Sequence, residues 1–226
     1  MNVTTKNKVI IFSIFLVTGY SNPSKNELVA SHTTDISEGL SLLNTDETIS
    51  YLTRQEIKQF IEKAPFVKID TSFPIPFENL DFNKVIAYDY DGIGDRYPSV
   101  VNKSGQFVDV VTKQKALNAE QVKRFITLIS DEKSYGGTTA ACFDPGWALV
   151  FFKDNKIVFV VDICLDCNSI NSTKPIPATS VHNEVFEDYT LPREGFSLST
   201  RKSIQSLSKE LDMKYGDYQE SSIFDE

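Results

Sequence analysis

Three cysteines, Cys142, Cys164 and Cys167, are the strongest nucleophiles and the softest metal ligands in the chain, and His182 follows them closely in sequence. Thiols so spaced could form a disulfide, hold a zinc ion or exchange electrons. Zinc takes four tetrahedral ligands, commonly cysteine and histidine, and Cys142, Cys164, Cys167 and His182 supply that number. The second half of such a site would be one cysteine and one histidine separated by a loop, so a structural disulfide is our first reading and zinc our second. A redox pair of the thioredoxin kind places its first cysteine at a helix N-terminus, where the dipole lowers the thiol pKa. Cys164 instead ends an apolar run that reads as a strand. No cofactor other than zinc is expected.

Other chemistry is sparsely represented. The chain has two histidines, and His32 lies in a polar stretch that reads as a linker, so general-base candidates are few and the balance leans away from an enzyme. No catalytic residue is assigned. Asp144, Asp162 and Asp166 fall near the cysteines and form a candidate carboxylate site, although acids placed there also keep strand ends soluble. Residues 89–95, DYDGIGD, resemble a calcium loop only at first, because Ile93 and Val100 stand where oxygen ligands are needed. Residues 134–139, SYGGTT, form a glycine turn with no following Gly-Lys-Ser/Thr to hold a phosphate.

The cysteines need a scaffold, and the sequence offers a β-hairpin. Apolar runs at 147–152 and 157–164 flank Lys153-Asp154-Asn155-Lys156, short segments rich in β-branched and aromatic residues around a turn. With Asp154-Asn155 as the loop, Lys153 faces Lys156 and Cys142 faces Cys167. Opposed Cα atoms lie about 4.5–5.5 Å apart, within the roughly 4.4–6.8 Å that a disulfide spans. Pro145-Gly146 must interrupt the ladder, since proline donates no hydrogen bond to it. A shift there would bring Cys164 opposite instead, so Cys142 is expected to bond to Cys167 or to Cys164. This register sets Asp162 opposite Trp147, places Trp147, Leu149 and Phe151 on one face with Val158 and Val160, and leaves Ala148, Val150 and Phe152 with Ile157, Phe159 and Val161. Both faces are apolar, which predicts a pair at mid-sheet, covered on each side.

Around the hairpin the pattern predicts an α+β fold, a mostly antiparallel sheet packed by about three helices. The first helix begins at a Thr53–Glu56 capping box, buries Ile57, Phe60, Ile61 and Ala64, and stops at Pro65. The second is capped by Asn118 and Gln121 and buries Val122, Phe125, Ile126 and Ile129. The third starts near Ser199, presents Ile204, Leu207, Leu211 and Tyr215, and ends with Gly216 as its C-terminal cap. Further strands are expected at 85–90 and 107–112. The sheet is expected to end at Cys164, with 168–173 a loop and 174–196 an irregular connection.

Residues 1–21 read as a signal peptide: Lys6 and Lys8, an apolar stretch at 9–17, then small residues. That stretch is too short to span a bilayer. Val17-Thr18-Gly19-Tyr20 resembles a lipobox with Tyr20 where the lipidated cysteine would stand. Export to the periplasm or cell envelope is therefore expected, with membrane attachment only through an uncleaved signal segment, and an oxidising compartment favours disulfides. Residues 22–50 read as a flexible linker, 51–216 as one α+β domain and 217–226 as an acidic tail. The net charge of −8 over 226 residues argues against nucleic-acid binding and against docking on anionic lipid.

The segments FNKVIAYDYDG, KALNAEQVKRFITLISDEKSYGGTTAACFDP, KIVFVVDICLDCNSI and GFS…RKSIQSLSKEL resemble an uncharacterised group of exported or lipoprotein-like proteins of Bacteroidetes-type bacteria, with the CFxP…CxxC core as the most specific part. The resemblance covers roughly residues 80–226 and implies export and a single body domain, but no activity. The expected role is a non-enzymatic envelope protein that binds a protein or small-molecule partner and has its hairpin end locked by a disulfide. The alternatives are a zinc protein or hydrolase using the cysteines and His182, and an immunity or inhibitor protein, which size and acidity also fit.

Overall fold

A computed structural model describes residues 49–68, 80–92, 96–180, 183–185, 190–192 and 194–217. The expected signal peptide and the expected linker up to residue 48, residues 93–95 of the calcium-like loop, His182 and the residues beyond 217 lie outside the described residues.

The fold is α+β. Helix α1 (Arg54–Lys63) is followed by strands β1 (Lys84–Tyr90) and β2 (Val111–Ala116) and helix α2 (Ala119–Ser130). Strands β3 (Tyr135–Gly137), β4 (Trp147–Lys153), β5 (Lys156–Cys164) and β6 (Ser169–Ser172) come next. Short strands β7 (Asn183–Val185), β8 (Thr190–Pro192) and β9 (Gly195–Phe196) precede helix α3 (Leu198–Glu210). The main sheet runs β2-β1-β4-β5-β6, every neighbour antiparallel, with β4 in the middle. β3 pairs with β9 and β7 with β8 in two small ribbons.

All three helices begin with a side-chain cap. Thr53 with Glu56 and Asn118 with Gln121 form reciprocal capping boxes, and Ser197 accepts from the Thr200 amide. α1 ends at Ala64, immediately before Pro65. α3 ends differently from expectation. Its cap is Leu211, Asp212 takes the left-handed conformation (φ 54), and Gly216 lies in a following 3-10 turn, Lys214–Asp217. A Cβ on Gly216 would lie 2.7 Å from the Cα of Lys209, so close packing, not capping, calls for glycine there.

The sheet is covered on both faces. On one side Val85, Ala87, Trp147, Leu149 and Phe151 pack against Val122, Phe125 and Ile129 of α2 and Ile204 and Leu207 of α3. On the other, Ile86, Tyr88, Ala148, Val150 and Phe152 face Ile57 and Ile61 of α1 and the 100–111 segment. The hairpin turn has the expected loop: Asp154 and Asn155 have φ 47 and 65, as a two-residue turn with both central residues left-handed requires.

Several further sequence expectations change, among them the irregular connection at 174–196, which contains β7, β8 and β9. Lys153 faces Lys156 and Phe152 faces Ile157, but the next pair is Phe151 with Phe159, so Val158 is the extra residue of a β-bulge. Since a one-residue slip reverses every later side chain, Phe159, Val161 and Ile163 join Trp147, while Val160 joins Ala148. Trp147 therefore opposes Ile163, and Asp162 opposes Ala148. The second strand lies at 111–116, not 107–112, because its polar sequence suits a sheet edge; Phe107 makes only an isolated bridge with Val101. Residues 169–172 form edge strand β6 where a loop was expected. Finally, Gly136 and Gly137 belong to β3, not to a free glycine turn.

Candidate functional site

Two places could do chemistry: a sulfur cluster at the end of β5 and a cavity beneath α1. The cluster arises from a tight reversal of the chain. β5 ends at Cys164, the Asn168 amide donates to the Leu165 carbonyl at 3.1 Å, and Ser169 pairs back with Cys164. This turn brings Cys167 over Cys164, and the two are joined in a disulfide with their Cα atoms 5.2 Å apart. Both are buried, and Cys142 is a free, exposed thiol.

The expected bond from Cys142 to Cys167 or Cys164 is thus replaced by one within the CxxC. It rested on extending the hairpin ladder upstream of Trp147. Pro145 has no N–H for that ladder, so the chain before β4 runs as a loop and β5 turns back on itself instead. The loop still delivers its thiol, because the Ala140 amide donates to the Cys167 carbonyl at 2.9 Å and Cys142 Sγ lies 3.1 Å from Cys167 Sγ.

Asn168 anchors the turn. It is fully buried at φ 48, Nδ2 donates to the carbonyls of Thr138 and Phe196 at 2.8 and 3.0 Å, and Oδ1 accepts from the Phe196 amide at 3.1 Å. A Cβ on Gly137 or Gly195 would meet Nδ2 at 2.9 or 2.7 Å, so glycine on both strands of the β3–β9 ribbon makes room for this side chain.

The three sulfurs do not offer zinc its usual ligands. Sulfurs bonded to each other carry no thiolate, which leaves Cys142 alone, and His182 lies outside the described residues. Nor do the three aspartates gather. Asp144 and Asp166 are exposed, whereas Asp162 is buried beneath the 99–101 segment. Among the described residues no group of three His, Cys, Asp or Glu side chains could hold a metal ion.

No family model, curated protein or solved structure matches the chain. The sites therefore rest on their own geometry.

The cavity, of about 1030 Å³, opens between α1, the 99–107 segment and the α1-facing side of the hairpin. Ile57 and Ile61 form one wall, Phe107 another, and Phe152, Ile157 and Val160 the floor. Its acids are the exposed Glu62 and the buried Asp162. Arg54, Lys58, Lys103, Lys156 and Lys174 also line it. Arg54 is held by Asp109 at 3.0 Å. Among the described residues none of the four lysines makes an ion pair. A chain of net charge −8 thus concentrates positive charge around this apolar opening.

Asp162 fixes one side of this opening. Its Oδ1 accepts from the Tyr90 hydroxyl at 2.9 Å and from the Val100 amide at 3.0 Å. Burial raises its pKa to about 6, against the hydrogen bonds from Val100, Ser99 and Tyr90 that favour the ionised form. At the far end, the buried Lys84 Nζ donates to the Ile61 carbonyl at 2.7 Å and to Asn155 Oδ1 at 2.8 Å, tying the C-terminus of α1 to the hairpin turn. The sequence shows the apolar stripe of α1 and the apolar second face of the hairpin. It does not show that they stand apart, so the cavity had no sequence signal beyond them.

Proposed function

We propose that the chain is an exported, non-enzymatic binding protein whose cavity takes a small amphiphile with an apolar body and an anionic head. The observation that carries this reading is the pairing of an apolar cavity of about 1030 Å³ with four lysines that form no ion pair among the described residues. Small-molecule sites are concave and mostly apolar, with a few polar groups that fix orientation, and they commonly enclose about 300–1,000 Å³. An apolar body buried against Ile57, Phe107 and Val160 gains about 25 cal/mol per Å² of area removed from water. An anionic head would meet Lys58, Lys103, Lys156 or Lys174 at the mouth, where salt screens the attraction.

Export fits the basic, apolar and small-residue order of residues 1–21 and the Cys164–Cys167 bond, which an oxidising compartment preserves. The mass of the mature N-terminus from the native host tests it, and a chain still starting at Met1 in the cytoplasm would end it.

Calorimetry with dodecanoate, dodecanol and dodecyltrimethylammonium tests the binding role. Dodecanoate is expected to bind at least about tenfold more tightly than the cation at low salt, with the preference shrinking as salt rises. Ile157→Trp, which fills the cavity from its floor, should abolish binding without lowering the unfolding midpoint. Equal affinity for all three ligands would remove the anionic head from the reading, and no binding of any would remove the cavity.

A further inference from the structure

The sulfur cluster carries an inference independent of the cavity. Cys142 is an exposed thiol 3.1 Å from one sulfur of a buried disulfide, and a backbone amide points at each sulfur of that bond. The Asp144 N–H lies 3.4 Å from Cys167 Sγ, and the Cys167 N–H donates to Cys164 Sγ at 3.1 Å.

We propose that Cys142, Cys164 and Cys167 form a thiol-exchange site, through which the buried disulfide passes to the exposed Cys142 and there accepts a thiol-bearing partner. Disulfides exchange when a thiolate attacks one sulfur and the other leaves with the electron pair, and the rate rises as the leaving thiolate is stabilised. Here Cys142 loses its proton to solvent and attacks Cys167 Sγ. The Cys142–Cys167 bond forms as the Cys164–Cys167 bond breaks, and Cys164 leaves as a thiolate that takes up a proton. One bond replaces another, so no oxidant or reductant is consumed. The Cys167 N–H already rests on Cys164 Sγ, where the leaving charge collects.

The two isomers differ in what they present to solvent. With Cys164 bonded to Cys167, both disulfide sulfurs are buried and the surface holds a thiol. With Cys142 bonded to Cys167, the free thiol is the buried Cys164 and the surface holds a disulfide sulfur. A partner thiolate attacks Cys142 Sγ, a mixed disulfide forms there, and Cys167 leaves as a thiolate that takes up a proton. Attack by Cys167 on the mixed disulfide reverses the step.

The test is trapping of the oxidised full-length chain with N-ethylmaleimide over time, followed by non-reducing digestion. Cleavage before Asp166 separates Cys164 from Cys167, and trypsin separates both from Cys142. The alkyl group is expected on Cys142 in one population and on Cys164 in another. Incubation with reduced glutathione should place an adduct on Cys142 in the wild type and in Cys164→Ser, which forms the Cys142–Cys167 bond alone, and none in Cys142→Ser. Label on Cys142 alone at every time point, with no glutathione adduct there, would overturn the proposal. The wild-type experiment decides even if Cys164→Ser does not fold.

Discussion

The hydroxyl of Tyr90 on β1 donates to Oδ1 of Asp162 on β5 at 2.9 Å, reaching across β4 between them. Neither residue is exposed, and the same carboxylate oxygen takes the Val100 amide. A single acid thus ties two strands and the 99–101 segment together, at the cost of being desolvated.

That cost predicts a pH dependence. Burial raises both Asp162 and Asp89 to about 6. Asp89 is buried with Oδ1 unpartnered, while Oδ2 accepts from the Lys214 amide at 2.8 Å. Lys113 and Lys214 pull its pKa down and Asp212 pushes it up, but burial wins. Carboxyls in the unfolded chain titrate near 3.9. The folded state therefore binds more protons between roughly pH 4 and 6, and stability falls as pH rises through that window. Urea titrations at pH 4 and pH 7 check this. Asp162→Asn keeps an acceptor for Tyr90 and Val100 without a charge to desolvate, and should reduce the loss by about 1–3 kcal/mol; parallel wild-type and variant profiles would refute the assignment.

Lys84 and Asn155 predict a coupled pair. Lys84→Met keeps most of the buried stem but leaves the Ile61 carbonyl and Asn155 Oδ1 without their donor. The expected loss is about 1–3 kcal/mol, the usual penalty for stranding a buried polar group. Asn155→Gly still suits the left-handed turn position and removes one acceptor. Chemical denaturation of both single variants and the double should show a coupling energy of about 0.5–1 kcal/mol, and strict additivity would disprove the contact.

Asn168 should tolerate no close relative. Asn168→Asp replaces the two donor bonds to Thr138 and Phe196 with repulsion between a carboxylate and two carbonyls. A loss of about 3 kcal/mol or more is expected, the range for a buried unpaired charge. Asn168→Gly retains the φ but not the bonds, and should lose less. Thermal unfolding of the two variants checks the order, and a reversal would mean that backbone conformation, not the side-chain network, fixes this turn.

The helix caps predict small, separable effects. Thr53→Ala and Asn118→Ala each remove the side chain that accepts from the third-residue amide, and each should cost about 1 kcal/mol. Only the first caps a helix that lines the cavity, so amphiphile affinity should fall in Thr53→Ala and remain unchanged in Asn118→Ala.

Local chemistry decided what could be read without coordinates. The capping boxes, the helix faces, the Asp154-Asn155 turn and the two-sided burial of the hairpin each depend on residues within a few positions of one another. The Val158 bulge was not legible, because Ile157, Val158 and Phe159 are all apolar and either face accepts them. For the same reason a regular ladder sets Asp162 opposite Trp147, whereas the bulge sets it opposite Ala148. β6 was missed because edge strands pair through backbone and their side chains need no apolar pattern.

The sequence by itself determined an antiparallel α+β domain, its central hairpin and the gathering of three sulfurs near one end of β5. Which sulfurs bond was decided by the fold: a proline broke the ladder upstream of Trp147, and the turn at Asn168 carried Cys167 back over Cys164. The cavity belongs to the tertiary structure too, since it depends on how far α1 and the 99–107 segment stand from the sheet. That separation is set by side chains such as Lys84 and Asp162, which bind across it from distant parts of the chain.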